Sequence, residues 1–140
     1  MIIYYGFDKD KNDFRQKAIE SYNKTNNVDV GKLYKDEKGK PKLEKAYISI
    51  ADTKNLCIVA ISNQEVGIDV ERKDRVSKIK MSIKEWTELE AYSKWTGQGV
   101  KSPRDIEKPF PKDNIYSVDI LDDYYITVCS KDREFNTYLL

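Results

Sequence analysis

Three carboxylates and a lysine carry most of the chemistry this chain could do. Gly67-Ile68-Asp69-Val70-Glu71 sets two acids two residues apart. On a strand that spacing turns both to one side while Ile68 and Val70 pack the other. Further on, Glu90 and Lys94 stand one helical turn apart and project from one face. Two strand carboxylates and a third from elsewhere would suit Mg²⁺, which takes oxygen ligands and leaves room for water and phosphate. The chain contains no histidine, which excludes Ser-His-Asp triads, Cys-His pairs and His-ligated zinc or haem. Cys57 and Cys129 are too far apart for a Cys-x-x-Cys site, so a hard, oxygen-bound cation is the default metal. Taken singly these signals are small. Acid-x-acid occurs five times among 24 acids, close to chance, and an i,i+4 Glu/Lys pair is ordinarily a solvated surface contact.

The elements that must position these residues follow from periodicity. Residues 1–7 read as a strand and 8–12 as a turn. Phe14, Ala18, Ile19 and Tyr22 recur at helical spacing, which predicts a helix over 12–24, broken by Thr25-Asn26-Asn27. Residues 31–45 are polar and Lys-rich, with a turn at Gly39-Lys40-Pro41. Strands are expected at 47–51 and 56–62, joined by a polar turn, and a third at 66–70 ends in the acidic pair. A basic connector over 72–80 leads to a second helix at 82–96, with Gly97 placed as its C-terminal glycine. A hairpin over 114–121 and 124–129 and a terminal strand at 135–140 close the chain. The run 124–130 (YYITVCS) echoes 56–62 (LCIVAIS), each behind a short turn and a Tyr-led strand. This weak repeat suggests two related α+β halves, residues 1–73 and 74–140, in a pseudo-twofold arrangement.

Bulk composition sets the outer bounds. The 140 residues hold 25 basic and 24 acidic side chains, a formal charge of +1, with 39% apolar residues and ten tyrosines. Such a chain is a small globular protein with a limited core. Near-neutral charge argues against a general nucleic-acid binder. No apolar run approaches the ~20 residues of a membrane span, and the N-terminus lacks the basic region of a signal peptide. The two cysteines sit in strand-like runs and read as reduced core residues, so a cytoplasmic location is expected.

Gly-Ile-Asp-Val-Glu followed by Trp86-Thr87-x-x-Glu90-Ala91-x-x-Lys94-x-x-Gly97-x-Gly99 resembles the 4′-phosphopantetheinyl transferase superfamily, and most closely its surfactin-type branch with two fused halves. The Gly39-Lys40-Pro41 segment, the strand pair over 47–62 and the strand at 125–130 extend the likeness, which covers most of the chain from residue 39 onward. The resemblance implies that Asp69, Glu71 and Glu90 hold Mg²⁺ and that Lys94 contacts the coenzyme A pyrophosphate. It places Lys40, with Pro41, near the nucleotide, and sets Asp52 and Thr53 in the turn that faces the coenzyme phosphates. The implied reaction moves the phosphopantetheine arm of coenzyme A to a serine of an acyl or peptidyl carrier protein, releasing 3′,5′-ADP. Either a metal-bound water or Glu90 would take the serine proton. A fused chain would act as a monomer, or as a weak dimer given the small core.

Three departures from the family pattern stand out. Leu89 replaces a lysine before the third acid. Ala51-Asp52-Thr53 replaces a turn whose histidine meets the coenzyme phosphates, and Asp52 there brings a negative charge toward a pyrophosphate. The segment between Glu71 and Trp86 is shorter than the family's, although Arg72, Lys73, Arg75, Lys78 and Lys80 in it could meet an acidic carrier protein. A degenerate relative that binds coenzyme A or a carrier protein without efficient transfer is therefore a second expectation. A small nucleic-acid or anion-binding module, using the lysines over 32–45 with Tyr34 and Tyr47, is a remote third. The plain alternative for that lysine run is a solvated loop.

Overall fold

The computed structural model describes residues 1–76, 80–98 and 109–140. Lys78 of the basic connector and Gly99 of the helix motif lie outside them. The elements run β1 (Ile2–Phe7), α1 (Lys11–Asn26), β2 (Leu33–Lys35), β3 (Pro41–Leu43), β4 (Tyr47–Thr53), β5 (Leu56–Ser62), β6 (Gly67–Arg72), α2 (Ile83–Thr96), β7 (Ile115–Ser117), β8 (Tyr124–Cys129) and β9 (Asn136–Leu139). The fold is α+β, with two helices and three sheets among the described residues. The sheets are ordered β4-β5-β1-β9, β2-β3 and β6-β8-β7. Every pairing is antiparallel except that of β1 with β9.

Alternation along the strands sorts two apolar clusters. Ile2 and Tyr4 of β1 with Cys57, Val59 and Ile61 of β5 meet Phe14, Ala18, Ile19 and Tyr22 of α1. Ile3, Ile58 and Ala60 face the other way and join Ile68 and Val70 of β6 with Ile126 and Val128 of β8. All seven residues of β5 are buried, because it is flanked by strands on both edges and covered on both faces. Both cysteines are free and buried. Among the described residues no helix is long and apolar enough to cross a membrane.

Local chemistry explains the helix ends. Asp10 caps α1 by accepting from the Asp13 N–H, and Asn27 closes it in the left-handed region at φ 51°. The helix therefore runs through Thr25 and Asn26, where the sequence suggested a break. Ser82 caps α2 through the Glu85 N–H, and Gly97 terminates it at φ 77°, donating to the Ser93 carbonyl.

Two further sequence expectations are adjusted. The lysine-rich stretch after Gly31 is a short hairpin, β2–β3. Its turn is tied by the Asp36 carboxylate, which accepts from the Lys38 and Lys40 N–H groups at 2.9 Å each. Lys40 and Lys42 are ion-paired to Glu65 and Asp36, so part of this basic run is held by acids. The strand expected over 114–121 is confined to Ile115–Ser117.

Candidate functional site

Gly67, Asp69 and Glu71 share the face of β6 that α2 covers. A Cβ on Gly67 would lie 2.0 Å from the Ala91 carbonyl oxygen and 2.6 Å from the Trp95 nitrogen. The motif glycine is thus the point where the helix backbone rests on the strand. That close approach brings Glu90 and Lys94, which precede Ala91 and Trp95 in turn, over the two strand carboxylates.

Lys94 is the most tightly held of the group. Its ammonium donates to the Ile50 carbonyl at 3.0 Å, to the Ile68 carbonyl at 2.9 Å and to Asp69 Oδ1 at 3.2 Å. Three donors meet three acceptors. Ile50 belongs to β4 and Ile68 to β6, strands that are in contact without forming a ladder. Lys94 and Ser49, whose hydroxyl accepts from the Ile68 N–H at 2.9 Å, bridge them.

Asp69 is buried, 8% exposed, and its second oxygen Oδ2 has no partner among the described residues. Burial pushes its carboxyl up to about 7, opposed by Lys94 and reinforced by Glu90 and Glu71. Glu90 is also raised, first by burial; Lys94 and Arg75 pull it down while Glu71 pushes it further up. Glu71 pairs with Arg75 at 2.7 Å. The three acids therefore share one electrostatic neighbourhood. Among the described residues, however, no three His, Cys, Asp or Glu side chains are arranged to hold a metal, and two of these carboxylates are turned to cations of the chain itself. What fits a hard cation is the donor chemistry: an unpartnered buried oxygen on Asp69 with two further carboxylates beside it.

Glu90 and Lys94 also line a cavity of about 470 Å³. Its facing wall is the β2–β3 turn at Lys40 and Pro41, and residues 48–50 of β4 close one side. Lys40 donates to Glu65 Oε1 at 2.7 Å and its Cδ lies near the α2 terminus, 3.6 Å from where a Gly97 Cβ would be. A second cavity of about 420 Å³ shares Lys38, Lys40 and Gly97 with the first. The structure thus brings Lys40, Pro41, Glu90 and Lys94 together, with Asp69 and Glu71 behind them.

Asp52 and Thr53 do not line either cavity. Asp52 faces α1, where Arg15 lies 3.0 Å and Lys11 3.9 Å from its Oδ2. The negative charge that looked misplaced in a phosphate-facing turn is balanced by the first helix. Asp52→Ala is expected to cost about 1 kcal/mol, since it strands the half-buried Arg15. Thermal melts check it. Leu89 is buried at 4% exposure, so its position serves packing in this chain.

Sequence reasoning missed Glu65 and Ser49, and it read Arg75 as part of a carrier-facing connector rather than as the partner of Glu71. Arg75 stands four residues after Glu71, a spacing that could have flagged it, but the strand end between them hid the contact. Compared with known protein families and with curated proteins, the chain matches none of them.

Proposed function

We propose that this protein transfers the 4′-phosphopantetheine group of coenzyme A to a serine of an acyl or peptidyl carrier protein, with Mg²⁺ as cofactor. The observation that carries this reading is the placement of Glu90 and Lys94 on one wall of a cavity opposite Lys40 and Pro41, backed by the unpartnered Asp69 oxygen. Asp69, Glu71 and Glu90 would hold the metal, which supplies positive charge to the phosphate oxygens. Lys40 adds charge at the cavity wall, and the cavity holds the coenzyme in line with the incoming hydroxyl. The serine oxygen bonds to the pantetheine-side phosphorus as the bond to 3′,5′-ADP breaks. Glu90 accepts the serine proton, a role that its raised proton affinity favours.

The two-half organisation of the resemblance is part of this proposal. β1-α1-β4-β5 and β6-α2-β7-β8 follow the same order of strand, helix and hairpin. In each sheet the second hairpin strand pairs antiparallel with the opening strand, which supports a common origin of the halves.

Mass spectrometry of apo-carrier proteins incubated with the protein, coenzyme A and Mg²⁺ tests the reading. Carrier modification is expected, and Glu90→Gln should slow it by roughly 10²–10⁴-fold. Lys94 commits its three donors inside the protein and Arg75 holds Glu71. These contacts favour a second reading, a binder of coenzyme A without efficient transfer. Coenzyme A binding with no carrier modified would select it.

A further inference from the structure

Lys40 borders two cavities at once. It lines the first with Glu90 and Lys94 and the second with Glu65, and Glu65 lines only the second. Its ammonium meets Glu65 Oε1 at 2.7 Å, so the charged end is drawn to the second cavity while the stem walls the first. The rest of the residue is fixed. Its N–H donates to the Asp36 carboxylate at 2.9 Å, its carbonyl accepts the Asp36 N–H at 3.0 Å, and Cδ lies beside Gly97 at the end of α2. Glu65 is anchored too. It stands in the turn between β5 and β6, and its carbonyl accepts from the Ser130 hydroxyl at 3.1 Å. The movable part is the end of the Lys40 side chain beyond Cδ.

We infer that Glu65 is a positioning residue that sets how strongly the first cavity holds an anionic ligand, by drawing the Lys40 ammonium to itself. This rests on the reading of that cavity as the coenzyme A site. An ammonium paired at 2.7 Å presents a phosphate with a nearly neutral pair, and the phosphate must share Lys40 with a carboxylate of its own sign. The fraction of molecules in which Lys40 is seated on Glu65 therefore lowers the apparent affinity. The second cavity does not take over as the anion site. Lys38, Lys40 and Lys42 line it together with Asp36, Glu37 and Glu65, so its charges balance. The first is lined by Lys38, Lys40 and Lys94 with Glu90, and it is there that a released Lys40 ammonium adds net positive charge.

Calorimetric titration of the full chain with coenzyme A, at low ionic strength and without added metal, tests this. Wild type, Glu65→Gln, Lys40→Met and the double variant are compared, with circular dichroism and thermal melts reporting the fold. Glu65→Gln should bind coenzyme A about fivefold tighter than wild type. Most of that gain should vanish in the Lys40→Met background, which ties it to this one ammonium. Glu65→Asp keeps the charge but draws the carboxylate back by one methylene, and its affinity should fall between those of wild type and Glu65→Gln. A pair with a merely structural role would lose stability without gaining affinity. Equal or weaker binding by Glu65→Gln overturns the inference and leaves the coenzyme reading in place, as does a gain that persists in full without Lys40. Failure of every form, wild type included, to bind coenzyme A overturns both.

Discussion

Gly67→Ala is expected to destabilise the protein by about 3 kcal/mol or more, a loss of roughly 10 °C in Tm. The new methyl would meet backbone, with the Ala91 carbonyl oxygen 2.0 Å and the Trp95 nitrogen 2.6 Å away. Neither atom can rotate aside. The whole of α2 must lift from β6, and it carries Glu90 and Lys94 with it, so the proposed transferase activity and metal binding should fall with stability. Gly39→Ala is the control. Gly39 sits at φ 82° with nothing within 4 Å of an added Cβ, so its cost is conformational alone, about 1 kcal/mol. Comparable losses at both sites would show that α2 does not press on Gly67.

Replacing Asp69 with asparagine should stabilise the metal-free protein at pH 8, by on the order of 3 kcal/mol. Burial raises the Asp69 carboxyl to about 7 in the folded chain, against an ordinary value near 4 when unfolded. Between those values the folded state holds a proton that the unfolded state has released, so stability falls as pH rises from about 4 to about 7. Above 7 the loss is complete and constant; below 4 it vanishes. An asparagine side chain, neutral throughout and similar in shape, removes that slope, and the two proteins should converge in Tm near pH 4. Added Mg²⁺ should raise the Tm of wild type at pH 8 through binding to the folded state alone, and leave the asparagine variant unmoved. A wild type with flat stability between pH 4 and 7 in the presence of a chelator would contradict the burial argument.

These two experiments act on residues whose types and spacing are legible in the chain itself. The alternation in Gly67-Ile68-Asp69-Val70-Glu71 puts both acids on one face of a strand, and Ile68 and Val70 do pack the opposite cluster. Glu90 and Lys94 fall on a helix with a serine cap and a terminal glycine, and α2 runs within a residue of the predicted bounds. Short, polar elements are harder to read. The β2–β3 hairpin owes its form to Asp36 gripping two N–H groups and to Lys40 finding Glu65 across the fold, contacts that no periodicity encodes. β9 is likewise a strand because β1 offers it an edge.

Asp52 shows the limit most clearly. In sequence it stands in the turn that a likeness to phosphopantetheinyl transferases would aim at phosphate. Strand alternation and the neighbouring α1 turn it instead to Arg15 and Lys11. The partner of a residue 37 positions away is set by how helix and sheet stack, and that stacking depends on the summed packing of both clusters.

Sequence alone determined the alternating and helical patterns, the glycine that ends the second helix, the carboxylate pair with its Glu90–Lys94 companion, and the exclusion of histidine chemistry. Each is a property of residues near one another along the chain. Only the tertiary structure decided that Gly67 is a helix seat, that Lys94 spends its three donors between β4 and β6, and that Arg75 holds Glu71. Those outcomes depend on distances between elements, which packing sets and local sequence does not.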